Sequence, residues 1–283
     1  MSAPRVTLLG TGVPLPDPRR RGPAQVIEAG GGLVLVDCGA GALHRLLEAG
    51  YALGSISRIA LTHLHSDHIT GIADLLWAGW ITRAWREPPP VIGPPGTREF
   101  LAKLFDAFAY DIRVRTLGVG HRREALEPAV TEIEDGFRFE TGGWRLTAFR
   151  VDHAPVDEAF GYRLDTDGGS VVVSGDTRRS ENLSRHARGA DLLIHEVIWR
   201  TGMERRISAA PNEEAKGWSR AILDYHTPAE EVGDVAARAE VVRLVLSHLV
   251  LAGGTPDDLV RDVRTTWNGP LTVGEDLMVV GGG

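Results

Sequence analysis

Several things are scarce in this chain, and each shortage narrows the field. There is one cysteine, Cys38, in 283 residues, so an internal disulfide framework is excluded. No apolar run reaches the roughly 18 residues that a membrane-crossing helix needs, and no membrane association is expected. The N-terminus lacks a basic-then-apolar leader, and Arg5-Val6-Thr7-Leu8-Leu9 already reads as a strand. A cytoplasmic location is the default expectation. Positive charge is also short: 31 Lys and Arg stand against 38 Asp and Glu, for a formal charge of −7. A general affinity for nucleic acid needs a basic surface that displaces counterions, so nucleic acid is not expected as the main substrate. The basic runs Arg19-Arg20-Arg21 and His121-Arg122-Arg123 read as solvated loops, with contact to an anionic substrate as the alternative. Low-complexity segments and internal repeats are absent, and a 43% apolar content supports one large domain over residues 1–283.

What is present is concentrated between Thr62 and Gly71. The run His63-Leu64-His65-Ser66-Asp67-His68 packs three histidines and an aspartate directly behind the apolar Ile59-Ala60-Leu61. Imidazole and carboxylate side chains so spaced bind divalent metals. In an extended chain His63, His65 and Asp67 share a side, and His68 breaks the alternation. A turn near Asp67 therefore sends His63 and His65 to one metal and Asp67 and His68 to another.

The pattern His-x-His-x-Asp-His resembles the signature of the metallo-β-lactamase fold superfamily. Further matches follow in that family's order: Val151-Asp152-His153, then Ser174-Gly175-Asp176-Thr177, then Ser247-His248-Leu249, each ending a β-rich apolar run. The turn Asp37-Cys38-Gly39-Ala40-Gly41 is similar to the family's Asp-Cys-Gly-x-Gly element, whose aspartate supports the ligands. The resemblance implies a four-layered αβ/βα sandwich. It implies that His63, His65 and His153 hold one metal and Asp67, His68 and His248 the other, with Asp176 and a water or hydroxide between them. Two Zn²⁺ ions suit such a donor set, with Mn²⁺ or Fe²⁺ as alternatives. Asp176 stands where the antibiotic-degrading branch often places a cysteine.

The organisation along the chain is mixed α and β. Strands are predicted at residues 6–9, 25–28, 33–37, 58–62 and 91–92. The middle third is read as strands at 112–117, 129–133, 137–140, 144–151, 160–164 and 170–173, with a buried strand at 192–194. Helices are predicted at 42–48, at 69 to about 86, from 96 through 108, and over 228–239 with Thr227 as N-cap. A last helix at 257–267 has Thr255 as cap and Pro256 at its first position. Trp77 and Trp80 fall on one helical stripe, read as core, with a homodimer contact as the alternative. His44, His121 and His186 have no ligand context and read as surface residues.

Two features bear on the branch. Tyr225-His226-Thr227-Pro228 resembles the His-[Ser/Thr] helix start of the tRNase Z, phosphodiesterase and arylsulfatase-like branch, which makes His226 a catalytic candidate beside Asp67. A helix N-terminus there is expected to lower the His226 pKa. Only 22 residues separate His153 from Asp176, an interval in which tRNA-processing members usually carry a long arm. A small-molecule phosphodiester or sulfate ester is therefore the expected substrate of a dinuclear zinc hydrolase. Lactone or β-lactam hydrolysis, or a metal-bearing redox or binding protein, are the alternatives. The charged segment Thr201–Tyr225 reads either as a flap over the metals, with Trp218 facing substrate, or as a plain surface helix. Glu196 reads either as orienting a catalytic histidine or as a structural ion-pair partner.

Overall fold

Val34 and Val36 face one side of their strand while Leu33 and Leu35 face the other, the period of two that a strand imposes. Both faces are apolar because both are covered. In a computed structural model that describes residues 4–282, fourteen strands form two sheets of seven. The first contains β1 (Arg5–Gly10), β2 (Ala24–Ala29), β3 (Gly32–Val36), β4 (Ile56–Ala60), β5 (Val91–Gly93) and β6 (Val130–Glu132). The second contains β7 (Arg138–Thr141), β8 (Trp144–Arg150), β9 (Phe160–Thr166), β10 (Gly169–Val173), β11 (Leu192–Ile198), β12 (Leu244–Val250) and β13 (Leu271–Val273). The last strand, β14 (Val279–Gly281), crosses back to pair with β1.

The spatial orders are β14-β1-β2-β3-β4-β5-β6 and β13-β12-β11-β10-β9-β8-β7. In each sheet, β14 through β3 and β7 through β10 pair antiparallel, and the remaining strands pair parallel. Val6, Leu8, Ile27 and Val34 pack between the sheets against Leu146, Phe160, Tyr162 and Val171. The outer face of the first sheet is covered by α1 (Ala42–Glu48), the short α2 (Ser66–Ile69), α3 (Ile72–Thr82) and α4 (Thr97–Ala107), followed by α5 (Ala109–Val119). The outer face of the second is covered by α6 (Glu181–His186), α9 (Ala229–Arg238) and α10 (Pro256–Val263). Between α6 and α9 lie α7 (Arg200–Ser208) and α8 (Glu213–Tyr225), packed on each other beside the sandwich. The expected αβ/βα sandwich is thus what forms.

Some local expectations need correction. Residues 112–117 lie in α5, not in a strand. The alternation Ile112-Arg113-Val114-Arg115 imitates a strand, but only Ile112 of this helix is buried. The helix expected over 69–86 is broken at Thr70–Gly71 and ends at Arg83, which is left-handed. Gly71 is required there, because a Cβ would lie 2.2 Å from the Gly39 carbonyl. Trp80 is 1% exposed and donates to the Arg122 carbonyl, while Trp77 packs on Phe105 and Phe108. Core packing holds for these indoles. His121 is buried against Trp80 rather than on the surface. Thr255 caps α10 in a reciprocal capping box, as expected. Among the described residues, no helix is long and apolar enough to cross a membrane.

Candidate metal centre

The parallel strands end on one rim, where open α/β sheets leave their ligand crevice. Asp37 follows β3 in a left-handed conformation with φ 58°. One carboxylate oxygen accepts the Thr62 backbone N–H at 2.8 Å, and the other accepts from His68 Nδ1 at 2.8 Å. The turn behind it is laced to the motif by Cys38 N–H to the His68 carbonyl, 2.8 Å, and Gly71 N–H to the Cys38 carbonyl, 2.9 Å. The Thr62 hydroxyl also donates to Asp37, so it can only accept from His63 Nδ1, at 3.0 Å. His63 and His68 thus each have Nδ1 held and Nε2 free to face inward.

The second sheet supplies the rest singly. His153 follows β8, and its Nδ1 donates to the Tyr225 carbonyl at 2.9 Å. Asp176 follows β10. His248 sits within β12 at φ 46°, where the register with β11 slips by one residue. Such a bulge re-aims a side chain, and here it turns the ring toward the aspartates. The Asp176 Oδ2 atom lies 3.4 Å from both His68 Nε2 and His248 Nε2, and 3.9 Å from both His63 Nε2 and His153 Nε2. Asp67 Oδ2 lies 3.3 Å from His248 Nε2 and 3.7 Å from His68 Nε2, and His65 Nδ1 is 3.3 Å from His153 Nε2. All seven residues named from the sequence therefore converge, with Asp176 central.

The donor set fits divalent ions. Ligand atoms of His63, His65, His153 and Asp176 lie within 4.8 Å of one another, as do those of Asp67, His68 and His248. His63 Nε2 and His68 Nε2 are buried without a hydrogen-bond partner, which is costly for a polar atom with no other role. Burial holds His63, His65 and His153 below the usual imidazole range, so they present lone pairs rather than protons. Burial would also depress His68, but the carboxylates of Asp176 and Asp37 outweigh it and hold the ring well above its ordinary value. Burial works against ionisation of Asp176, yet His248 and His68 draw its pKa well below the carboxylate range. The carboxylates call for positive charge at this place.

A cavity of about 310 Å³ opens onto this cluster, with Asp67, Asp176, His226 and His248 in its floor. His226 is 6% exposed, and its Nδ1 donates to Glu196 Oε2 at 3.1 Å. Glu196 Oε1 accepts the Thr227 backbone N–H at 2.6 Å. Of the two readings of Glu196, orientation of a histidine is the one its geometry matches. Thr227 does not cap α9: its hydroxyl donates to the Thr177 carbonyl, and the capping position falls on Pro228. The expected depression of the His226 pKa is reversed. Burial pushes it down, but the Glu196 carboxylate on Nδ1, joined by the Asp176 charge, outweighs burial and holds it above the ordinary value. The supporting parts that sequence reading missed are Thr62 behind His63 and the Tyr225 carbonyl behind His153. Neither carries a motif, because one is a hydroxyl in a strand end and the other is backbone.

A family model described as the beta-lactamase superfamily domain matches residues 33–249. Ribonuclease Z of Mycobacterium bovis (strain BCG / Pasteur 1173P2) is 37% identical over 279 residues, covering 96% of each chain. Among solved structures, the metallo-β-lactamase fold protein YhfI from Bacillus subtilis superposes with a TM-score of 0.74 at 21% identity, covering 98% of this chain and 99% of that one. Human tRNase Z, short form, gives 0.72 at 23% identity, covering 99% of each; at such identities the likeness concerns the fold. The chain belongs to the metallo-β-lactamase superfamily and is a metal-dependent hydrolase related to its tRNase Z and phosphodiesterase branch.

These relatives correct one expectation. Net charge and the short interval after His153 argue against nucleic acid as main substrate. That interval is indeed spanned by the β9–β10 hairpin alone. A relative named a ribonuclease, alignable over nearly its whole length, overturns the exclusion. The physical reason is that net charge is a sum over the surface, whereas phosphate contact is local. Arg21 lies in the cleft beside Asp67, and Arg206 lines the cavity.

Proposed function

We propose that this protein is a dinuclear metal-dependent phosphodiesterase that cleaves RNA. His63, His65, His153 and Asp176 would hold one divalent ion, and Asp67, His68, His248 and Asp176 the other; zinc suits these donors. Bound there, the ions supply Lewis acidity and a water acidic enough to act as nucleophile near neutral pH. The chain's own groups do the rest. Asp67 borders the cavity and offers a carboxylate to orient the attacking water. Asp37 and Thr62 keep the ligand rings in register. Glu196 keeps Nδ1 of His226 protonated and turns the other ring edge toward the site, where it can donate a proton to the departing oxygen.

The observation that carries the reading is the convergence of seven candidate ligand residues at a cavity that His226, held by Glu196, also lines. Support for RNA comes from the ribonuclease relatives. The test is incubation of the zinc-loaded protein with a structured RNA bearing an unpaired 3′ extension, alongside bis(p-nitrophenyl) phosphate. Cleavage of the RNA at one position is the expected result. Hydrolysis of the small ester with intact RNA would move the substrate class back to small phosphodiesters. Oxygen consumption without hydrolysis would overturn the reaction class.

A further inference from the structure

We propose that the α7–α8 pair carries a stacking platform, Trp218 with Arg206, for an unpaired nucleobase next to the scissile phosphate. The inference rests on the reading of the protein as an RNA phosphodiesterase. Trp218, Ile222 and Tyr225 recur at i, i+4 and i+7 on α8 and therefore form one stripe. All three line the cavity over the metal cluster. The stripe starts at Tyr225, beside His226, and reaches Trp218 about 10 Å further out at 1.5 Å per residue.

Trp218 is 52% exposed, whereas each of the chain's other tryptophans is buried or half-buried. Exposing an indole at the mouth of a site forfeits burial that the rest of the fold takes. One face of its ring meets the Arg206 guanidinium at 4.6 Å. Glu213 is engaged by Lys216 and Arg220, and Arg206 makes no carboxylate pair among the described residues. An exposed aromatic face backed by an unpaired cation is the combination that holds single-stranded bases: every base has a π-face, and the adjacent phosphate is anionic. An acidic peptide would use the cation but offers no planar group to the indole face, and the position of the pair over the metal cluster favours a substrate over a membrane. The platform stands on the His226 side. In hydrolysis the water oxygen forms the new bond to phosphorus, and the bond to the departing oxygen breaks. That oxygen takes the His226 proton and the attacking water gives up one of its own to solvent, so the stacked base belongs to the fragment leaving as the alcohol.

The test uses the full-length, zinc-loaded protein and the RNA described above, with single abasic nucleotides placed on either side of the cleavage position. One abasic position, within two nucleotides on the departing side, is expected to lower kcat/KM by roughly ten- to a hundredfold. Trp218→Ala should cause a similar loss with intact RNA and none in addition with the abasic RNA, the signature of a shared interaction. Trp218→Phe should restore most of it, and Arg206→Gln should lose less. Equal discrimination against the abasic RNA by wild type and Trp218→Ala would overturn the platform. If the RNA binds without being cleaved, the proposed activity fails first. Quenching of tryptophan fluorescence by the RNA then decides the platform: loss of quenching in Trp218→Phe supports it, and unchanged quenching overturns it.

Discussion

Two buried carboxylates, one in each half of the sandwich, are built alike and do different work. Asp37, at the end of β3, holds the Thr62 N–H with one oxygen and His68 Nδ1 with the other. Glu196, in β11, holds the Thr227 N–H with one oxygen and His226 Nδ1 with the other. The first pair aims an imidazole into a cluster of aspartates; the second aims one at the cavity beside it. The difference lies in what the far ring nitrogen meets. His68 Nε2 is buried among Asp67 and Asp176 without a hydrogen-bond partner. His226 borders the space that substrate must enter. On the proposed function, the same local device would serve metal retention in one half and proton delivery in the other.

The most damaging way to break the comparison is through the residue that both clusters share. Asp176→Ala should remove metal from both clusters and lower turnover on the order of a thousandfold or more, since metal activation of water and phosphate supplies several kcal/mol. Elemental analysis of the purified variant checks it; a variant that retains two ions would show that Asp176 does not bridge. Next in size is His226→Ala. Loss of a proton donor should cost roughly a hundredfold with an alkoxide-type leaving group. It should cost far less with p-nitrophenolate, which departs unprotonated. Metal content should stay at two per chain. A drop to one would make His226 a ligand, an option that its closeness to Asp176 and His248 leaves geometrically open.

The two halves also differ in how much of them could be read from the chain. Asp37, His63, His65, Asp67 and His68 lie in short runs, because one turn and one loop of the first sheet deliver them together. The resemblance to a family made the second half legible at His153, Asp176 and His248, which stand alone at strand ends. Glu196 was visible only as an ambiguous carboxylate behind a buried strand. Its partner lies 30 residues on, across α7 and α8, and no periodicity links them. The misread segment at 112–117 fails for a related reason: α5 buries one side chain, so its pattern carries no helical stripe. Net charge misled most, since it averages away the arginines near the cleft.

A milder change sharpens the contrast from the Asp37 side. Asn tolerates the left-handed backbone at this position, so Asp37→Asn should fold. The two donors, Thr62 N–H and His68 Nδ1, address different oxygens of Asp37, and in Asn one of these becomes an NH₂ group that cannot accept. Metal affinity should fall roughly 10- to 100-fold, as is usual when a ligand's supporting hydrogen bond is lost. Activity should return when metal is supplied in excess. Titration with zinc under a competing chelator measures this, and unchanged affinity would mean that His68 is positioned without Asp37.

Glu196→Gln is the matched change on the other side, and its effect should differ in kind. The amide oxygen can keep the Thr227 N–H, the shorter of the two contacts, so the backbone stays in place. What is lost is the negative charge on His226 Nδ1. Burial already pushes this ring down; Glu196, with a smaller contribution from Asp176, is what raises it above the ordinary imidazole value. Without the charge the pKa must fall. A group that acts as an acid is competent below its pKa and incompetent above it, so activity depending on His226 declines as pH rises through that value. The basic limb of the kcat/KM profile should therefore move to lower pH in the variant. The loss should be small on the acidic side of the profile and reach about tenfold near neutrality, within the range of a general acid's contribution. Zinc content and affinity should match wild type, the opposite of the Asp37→Asn result. A uniform loss at every pH, with the basic limb in place, would show that Glu196 only holds His226 in position. A loss of zinc would merge the two carboxylates into one role and remove the distinction between the halves.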